Sequence, residues 1–173
     1  MAQVDDMTQR TRILIGLGIL VALVALVIGI DAWQRSRLGP EPELPPGSIP
    51  IRMDGRLVGG FAPKDLANLE EAHFVDAEEG KAQEGWMLRD VLLLYVKRSA
   101  LKSATLVRVS SSSGNKAAEL TWAEVDDAAN MVMFDLSGRG TLKLVSLLPQ
   151  LDVRDEWVQD VDAIEITTPV ESE

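Results

Sequence analysis

The 173-residue sequence contains no cysteine and a single histidine, His73. Without cysteine the chain cannot form a disulfide, bind a metal through sulfur, use a thiol nucleophile or carry a lipid on cysteine. With one histidine it cannot build a metal site or a catalytic triad that needs two imidazoles. We interpret His73 as a surface residue, and the sequence predicts no catalytic residue, no metal ligand and no cofactor.

Positive charge is also scarce. The chain has 17 Lys and Arg against 27 Asp and Glu, which gives a formal net charge of −10. A protein of this charge repels phosphate backbones, so a nucleic-acid partner is not expected. The hydrophobic content of 46% is too high for a disordered chain and predicts a packed domain.

Polar residues are missing from one long segment. The 18 residues from Ile13 to Ile30 carry no polar or charged side chain. As a helix they would span about 27 Å, close to the hydrocarbon thickness of a bilayer. The alternative is a cleaved signal peptide, but the run is longer than an ordinary signal-peptide apolar region. We therefore expect a leader at 1–12 and one N-terminal transmembrane helix at 13–33.

The orientation of this helix follows only weakly from its flanks. Arg10 and Arg12 precede the run, and Arg35 and Arg37 follow it, so the side-chain count is balanced. The amino terminus adds positive charge to the leader, which favours a cytoplasmic leader and an external domain. In a bacterium this predicts a single-pass protein of the inner (cytoplasmic) membrane with its soluble domain in the periplasm.

Small residues recur on one side of the predicted anchor. Gly18, Ala22, Ala25 and Gly29 are spaced by four, three and four positions, which places them on one face of a helix. Such faces let helix backbones approach closely in lipid. The alternative is that Gly and Ala are simply common in membrane helices. We treat the four residues as candidate partner-binding residues for transmembrane helices of a membrane protein complex.

A proline-rich segment follows the anchor. Five of the eight prolines lie between Leu38 and Pro50. Proline favours extended backbone, so we expect a semi-rigid linker at 34–48. The soluble domain is then expected at 49–170, with a short tail at 171–173.

Short strands and short helices alternate along the soluble region, which predicts an α+β fold rich in strands. The signals are β alternation, an Asp-Gly turn, helical apolar spacing and a capping box. The predicted elements are a hairpin over Ile49–Val58, short helices at Pro63–Leu69, at Trp86–Val96 and after Thr121 with Glu124, and strands near Thr105–Val109, Met131–Phe134, Thr141–Ser146 and Val161–Thr167.

Three segments occur in an order that resembles a known family. They are DGRLVGGFAPKDLANL from Asp54, EGWMLRDVLLLY from Glu84 and LKLVSLLPQLDVRDEWVQDVDAIEI from Leu142. Together they resemble the sulfite-oxidase-type molybdopterin-binding domain, especially its short bacterial forms. The match covers about Ile51 to Thr167, and it implies the fold of that family.

The resemblance also implies a cofactor site, which the sequence does not support. In the family, molybdenum takes a thiolate from a cysteine upstream of the Asp-Val-Leu helix, and basic residues near the Trp-Val segment hold the pterin phosphate. The corresponding stretch, His73 to Trp86, has no cysteine. Near Trp157, the one basic residue Arg154 stands in a run of acidic residues, which would repel a phosphate. We therefore expect the fold without its redox site.

The acidic run from Asp152 to Asp162 has Trp157 and Val158 at its centre. One interpretation is a tryptophan packed under the last strand with the charges outside. The other is an aromatic anchor with an acidic rim that binds a basic partner. Trp157 is therefore a further candidate partner-binding residue.

These features favour a non-enzymatic accessory subunit, anchored in the lipid bilayer, whose molybdopterin-binding-like domain docks or scaffolds partners in a larger membrane complex. Two alternatives stay open. One is a molybdopterin-binding oxidoreductase component, and the other is a periplasmic module that binds a small ligand in the former cofactor cleft.

Overall fold

The computed structural model describes residues 4–37, 41–78 and 80–169. Contacts divide the chain into two units, Met1–Pro40 and Glu41–Glu173. The first three residues of the predicted leader, residues 38–40 of the predicted linker and the predicted tail lie outside the described residues.

The first unit contains one helix, α1, which runs over Val4–Arg37. Its side chains are described from residue 14 to residue 30, and all of them are exposed. Among the residues that the structure describes, no helix has both the length and the apolar character needed to cross a membrane.

The second unit is built mainly from strands. Its described residues form β1 (Ile49–Met53), β2 (Arg56–Phe61), β3 (Glu71–Val75), β4 (Ala82–Met87), β5 (Leu106–Ser111), β6 (Lys116–Thr121), β7 (Met133–Leu136), β8 (Leu142–Val145) and β9 (Ala163–Thr167). Short helices connect them: α2 (Leu88–Leu93), α3 (Trp122–Asp126) and 3₁₀ turns at Pro63–Asn68, Arg98–Ala100 and Ala128–Asn130.

The strands form two sheets. The first sheet has the order β2-β1-β9-β5-β6, and it is mixed because β1 and β9 run parallel. The second sheet has the order β3-β4-β7-β8 and is antiparallel throughout. This arrangement confirms the predicted α+β class with short helices.

Two clusters of buried residues form the core. The larger cluster joins inner residues of the first sheet, such as Ile51 and Ile164, to α2 and to Phe134 of the second sheet. The smaller cluster contains Phe74, Met87, Met133, Val145 and Trp157. Because β4, β7 and β8 contribute to both clusters, the second sheet lies between them.

Several predicted elements are confirmed, with shifted boundaries. The β1–β2 turn has positive φ at Asp54 and at Gly55, as the Asp-Gly pair predicts. Helix α2 buries Leu88 as predicted, but it begins at that residue and not at Trp86. The helix prediction was wrong at its start because Trp86 pairs with Phe134 in the second sheet.

The proline-rich segment contacts the domain. The side chain of Glu41 accepts a hydrogen bond from the Leu57 N–H at 3.2 Å. Leu44 covers Gly60, where an added Cβ would lie 2.8 Å from Leu44 Cδ1. Residues from Glu41 onward therefore belong to the folded unit, ahead of the domain start predicted at residue 49.

Candidate functional site

A cleft of about 450 Å³ opens beside the second sheet. Its lining comes from the β3–β4 connection, β4, the β7–β8 loop, β8 and the segment before β9. The lining residues are Lys81, Gln83, Ser137, Gly138, Arg139, Lys143, Arg154, Trp157 and Gln159. Four of these nine are basic and none is acidic, although residues 49–173 contain only 13 basic residues against 22 acidic ones. The cleft therefore presents positive charge on an acidic domain.

The β7–β8 loop holds Arg139 at the cleft. The loop is closed by hydrogen bonds from the Ser137 N–H to the Thr141 carbonyl at 2.8 Å and from the Gly140 N–H to the Ser137 carbonyl at 2.9 Å. Gly140 takes the positive φ of 78° that this tight loop requires. The Arg139 Nη2 donates to both carboxylate oxygens of Asp160, at 3.2 and 2.9 Å. These contacts fix a guanidinium at the rim.

Lys143 supplies a second fixed charge from β8. Its Nζ lies 3.0 Å from Asp135 Oδ2, donates to Gln83 Oε1 at 2.8 Å and sits 4.8 Å from the centre of the Trp157 ring. The Asp135 and Lys143 side chains are only 13% and 19% exposed, which makes this ion pair less screened than a surface pair.

Gln83 connects the cleft to a buried carboxylate. Its Nε2 donates to Asp76 Oδ2 at 2.9 Å, and both residues are 3% exposed. Its Oε1 accepts from Lys143, so the amide is oriented by a cation on one side and a carboxylate on the other. Polar side chains paired in this way form a stable wall.

Trp157 packs beneath the cleft and is 5% exposed. Its Nε1 donates to the Leu151 carbonyl at 3.0 Å. The ring belongs to the smaller core cluster, so it is packed as one interpretation of the sequence predicts, but against the second sheet and not under the last strand, β9. A partner could reach little of this side chain in the folded domain.

The other candidate residues lie elsewhere. His73 is exposed on β3, opposite Glu84, and is not among the residues that line the cleft. Gly18, Ala22, Ala25 and Gly29 are exposed along α1. An added Cβ at Gly18 or Gly29 would meet no atom within 4 Å, so the small-residue face is unoccupied among the described residues.

The residues present do not fit the molybdenum cofactor that the resemblance implies. The chain has no thiolate to offer the metal, because the sequence has no cysteine. Within the described part of the chain, no group of three His, Cys, Asp or Glu side chains is arranged to hold a metal ion. Of the groups that hold the cofactor in that family, the residues of this chain could supply only basic side chains.

Sequence reasoning missed this cleft. The local composition around Trp157 predicted repulsion of anions, whereas the cleft is lined by four basic residues, one of which, Arg139, is paired with Asp160 of the acidic run. Its cations come from separate segments that the fold brings together, and Asp152, Asp155 and Glu156 are exposed outside its lining. The one available signal was the Gly-Arg-Gly turn between two predicted strands, which places Arg139 at a loop tip.

A comparison with protein-family models found no match to this chain. A comparison with curated proteins also found none.

Proposed function

We propose that the chain is a non-catalytic, single-pass membrane subunit whose β-rich domain, of sulfite-oxidase-like fold, docks or scaffolds partners in a larger membrane complex. The exposed apolar surface of α1 carries this proposal. Twelve large apolar side chains between residues 14 and 30 are each 47–67% exposed. A helix that is apolar on all sides needs lipid or protein around it, because exposure of its apolar side chains to water is unfavourable.

The non-catalytic role is supported by the residues that could carry chemistry. The chain has one imidazole and no thiol, and that imidazole is exposed away from the cleft. Two of the four cations of the cleft, Arg139 and Lys143, are held by Asp160 and Asp135. Charged groups locked in pairs suit recognition better than proton transfer.

Placement in a bacterial inner membrane, with the domain in the periplasm, follows from the same helix and from the charge of the leader. Alkaline extraction of membranes tests the anchor, since an integral protein resists it. Protease added to intact spheroplasts tests on which side of the membrane the domain lies. The domain should be degraded from outside, and protection of the domain would reverse the orientation.

The small-residue face supplies the test of docking. Ala22→Leu adds bulk where another helix would approach, and we expect it to release the protein from its partners in mild detergent. Leu23→Ile is the matched control, because it lies on a different side of α1 and keeps its volume. Co-purification of the Ala22→Leu protein at the wild-type ratio would show that this face does not dock.

The cleft favours a second candidate function, a module that binds a small anionic ligand. The guanidinium fork of Arg139 and the fixed ammonium group of Lys143 suit a phosphate or carboxylate. Inorganic phosphate titrated into the purified full chain should bind, and Arg139→Gln should weaken binding about tenfold, as expected for loss of one charge-assisted contact. Arg108→Gln removes another exposed, ion-paired arginine, from the first sheet (52% exposed against 66% for Arg139), and should have no effect. Equal losses in both variants would reject this candidate.

A further inference from the structure

The two sheets have four edge strands, β2 and β6 in the first and β3 and β8 in the second. An edge presents unpaired N–H and C=O groups that can pair with another chain, and folded proteins usually block them. An edge that is not blocked is therefore a place where a strand of another chain can be added to the sheet.

Two of the four edges are covered. Edge β2 is covered by the proline-rich segment, since Leu57 N–H donates to Glu41. Edge β8 is covered by the segment before β9, since Leu144 N–H donates to the Val158 carbonyl and Val161 N–H to the Leu142 carbonyl, both at 2.9 Å.

Edge β6 is partly blocked. The Thr121 N–H donates to the Glu124 carboxylate at 2.7 Å. At the other end of the strand, the Lys116 ammonium donates to the Asp155 carbonyl. The middle of β6 carries the exposed residue Glu119.

Edge β3 is open. The Asp76 N–H donates to the Lys81 carbonyl, so the pairs that exchange hydrogen bonds with β4 fall at residues 72, 74 and 76. The backbone groups of Glu71, His73 and Val75 therefore point away from the sheet. Their side chains are exposed, Val75 by 62%, and no described residue pairs with these groups.

We infer that β3 pairs with β3 of a second copy of this chain, antiparallel about a two-fold axis at His73. In that register the outward residues face outward residues, His73 opposite His73 and Glu71 opposite Val75 of the second copy, and each pair exchanges both backbone hydrogen bonds. The two four-stranded sheets then form one continuous sheet.

Charge favours β3 over β6 for this pairing. The same operation on β6 would place Glu119 opposite Glu119, and like charges directly opposite each other destabilise a strand pair. Between Glu71 and Val75 no carboxylate faces a carboxylate across the new ladder, and Asp76, just beyond it, is buried and bonded to Gln83. The open edge is thus also the edge whose exposed residues avoid this repulsion.

The test uses the full chain in detergent micelles. His73→Cys introduces the only cysteine, and the Cα atoms of opposed residues in such a pair lie about 5.5 Å apart, within disulfide range. We expect mild oxidation to give a covalent dimer. Glu119→Cys, at the centre of the β6 edge, is the matched control and should give no covalent dimer on the same oxidation.

His73→Pro supplies the converse test. Proline removes an outward N–H that makes no bond within the domain, so the monomer should fold while the dimer dissociates in sedimentation experiments. Glu119→Pro should leave the dimer intact. A wild-type chain that is monomeric, or a dimer that survives His73→Pro, would overturn the inference.

The Ala22→Leu variant distinguishes a dimer that forms through α1 from a dimer that forms through β3. A dimer that is lost in Ala22→Leu and kept in His73→Pro would reject β3 pairing without touching the proposed membrane function. Cross-linking of His73→Cys to a different co-purifying protein would also overturn pairing with a second copy, and would assign the edge to that protein.

Discussion

Gly85 shows how closely the second sheet is packed at a single residue. It lies on β4 opposite Asp135, and an added Cβ would lie 1.8 Å from the Phe134 carbonyl oxygen. Backbone in the middle of a sheet cannot move aside cheaply. We expect Gly85→Ala to lower the free energy of unfolding by more than about 3 kcal/mol, measured by urea denaturation.

Gly138 is the matched control for this prediction. An added Cβ there meets nothing within 4 Å, so Gly138→Ala should change the free energy of unfolding by less than about 0.5 kcal/mol. Similar losses in the two variants would mean that β4 and β7 are not held at the distance described.

Glu124 gives the domain a pH-dependent contact. The Thr121 N–H donates to its carboxylate and lowers the pKa of Glu124 below its ordinary value, while partial burial opposes the shift. A carboxyl group whose pKa is lower in the folded state stabilises the fold above its unfolded pKa, and this stability is lost as the pH falls through the folded pKa.

We therefore expect the stability difference between wild type and Glu124→Gln to be largest above about pH 5 and to shrink as the pH falls below about 4. Chemical denaturation at a series of pH values measures it. A difference that stays constant over this range would mean that the charge of Glu124 does not contribute.

Among the elements, the proline-rich segment is expected to stabilise the domain as well as to link it. Leu44 is half-buried against Gly60, and burial of part of a leucine is worth about 1 kcal/mol. A fragment of residues 41–173 should therefore be more stable than one of residues 47–173 by about that amount, measured by thermal melting, and both should unfold cooperatively. Leu44→Ser in the longer fragment should reproduce the loss, and equal stabilities would show that the contact is incidental.

The elements that sequence predicted best are those with a strong local signal. The Asp54-Gly55 turn and the capping box of Thr121 and Glu124 are both present, since each depends on neighbouring residues alone. Strands β3, β4 and β6 were missed. Their sequences, EAHFV, AQEGWM and KAAELT, are poor in β-branched residues, and pairing with neighbouring strands decides their conformation.

For the whole molecule, sequence could give the balance of charge but not its distribution. The net charge of −10 predicted an acidic surface. The cleft nevertheless collects Lys81, Arg139, Lys143 and Arg154, which are up to 73 positions apart. Such a site depends on how two sheets and their loops meet, which composition and spacing do not contain.

The position of β9 has a consequence for how the protein is made. This strand is the last of the nine described, yet it lies in the middle of the first sheet, between β1 and β5. On a ribosome, the hairpins β1–β2 and β5–β6 emerge long before the strand that joins them. The newly made chain must therefore keep two unjoined hairpins from aggregating until β9 has left the ribosome. A chain cut before Ala163 would lack the strand that joins the two hairpins, and its first sheet could not form as one sheet.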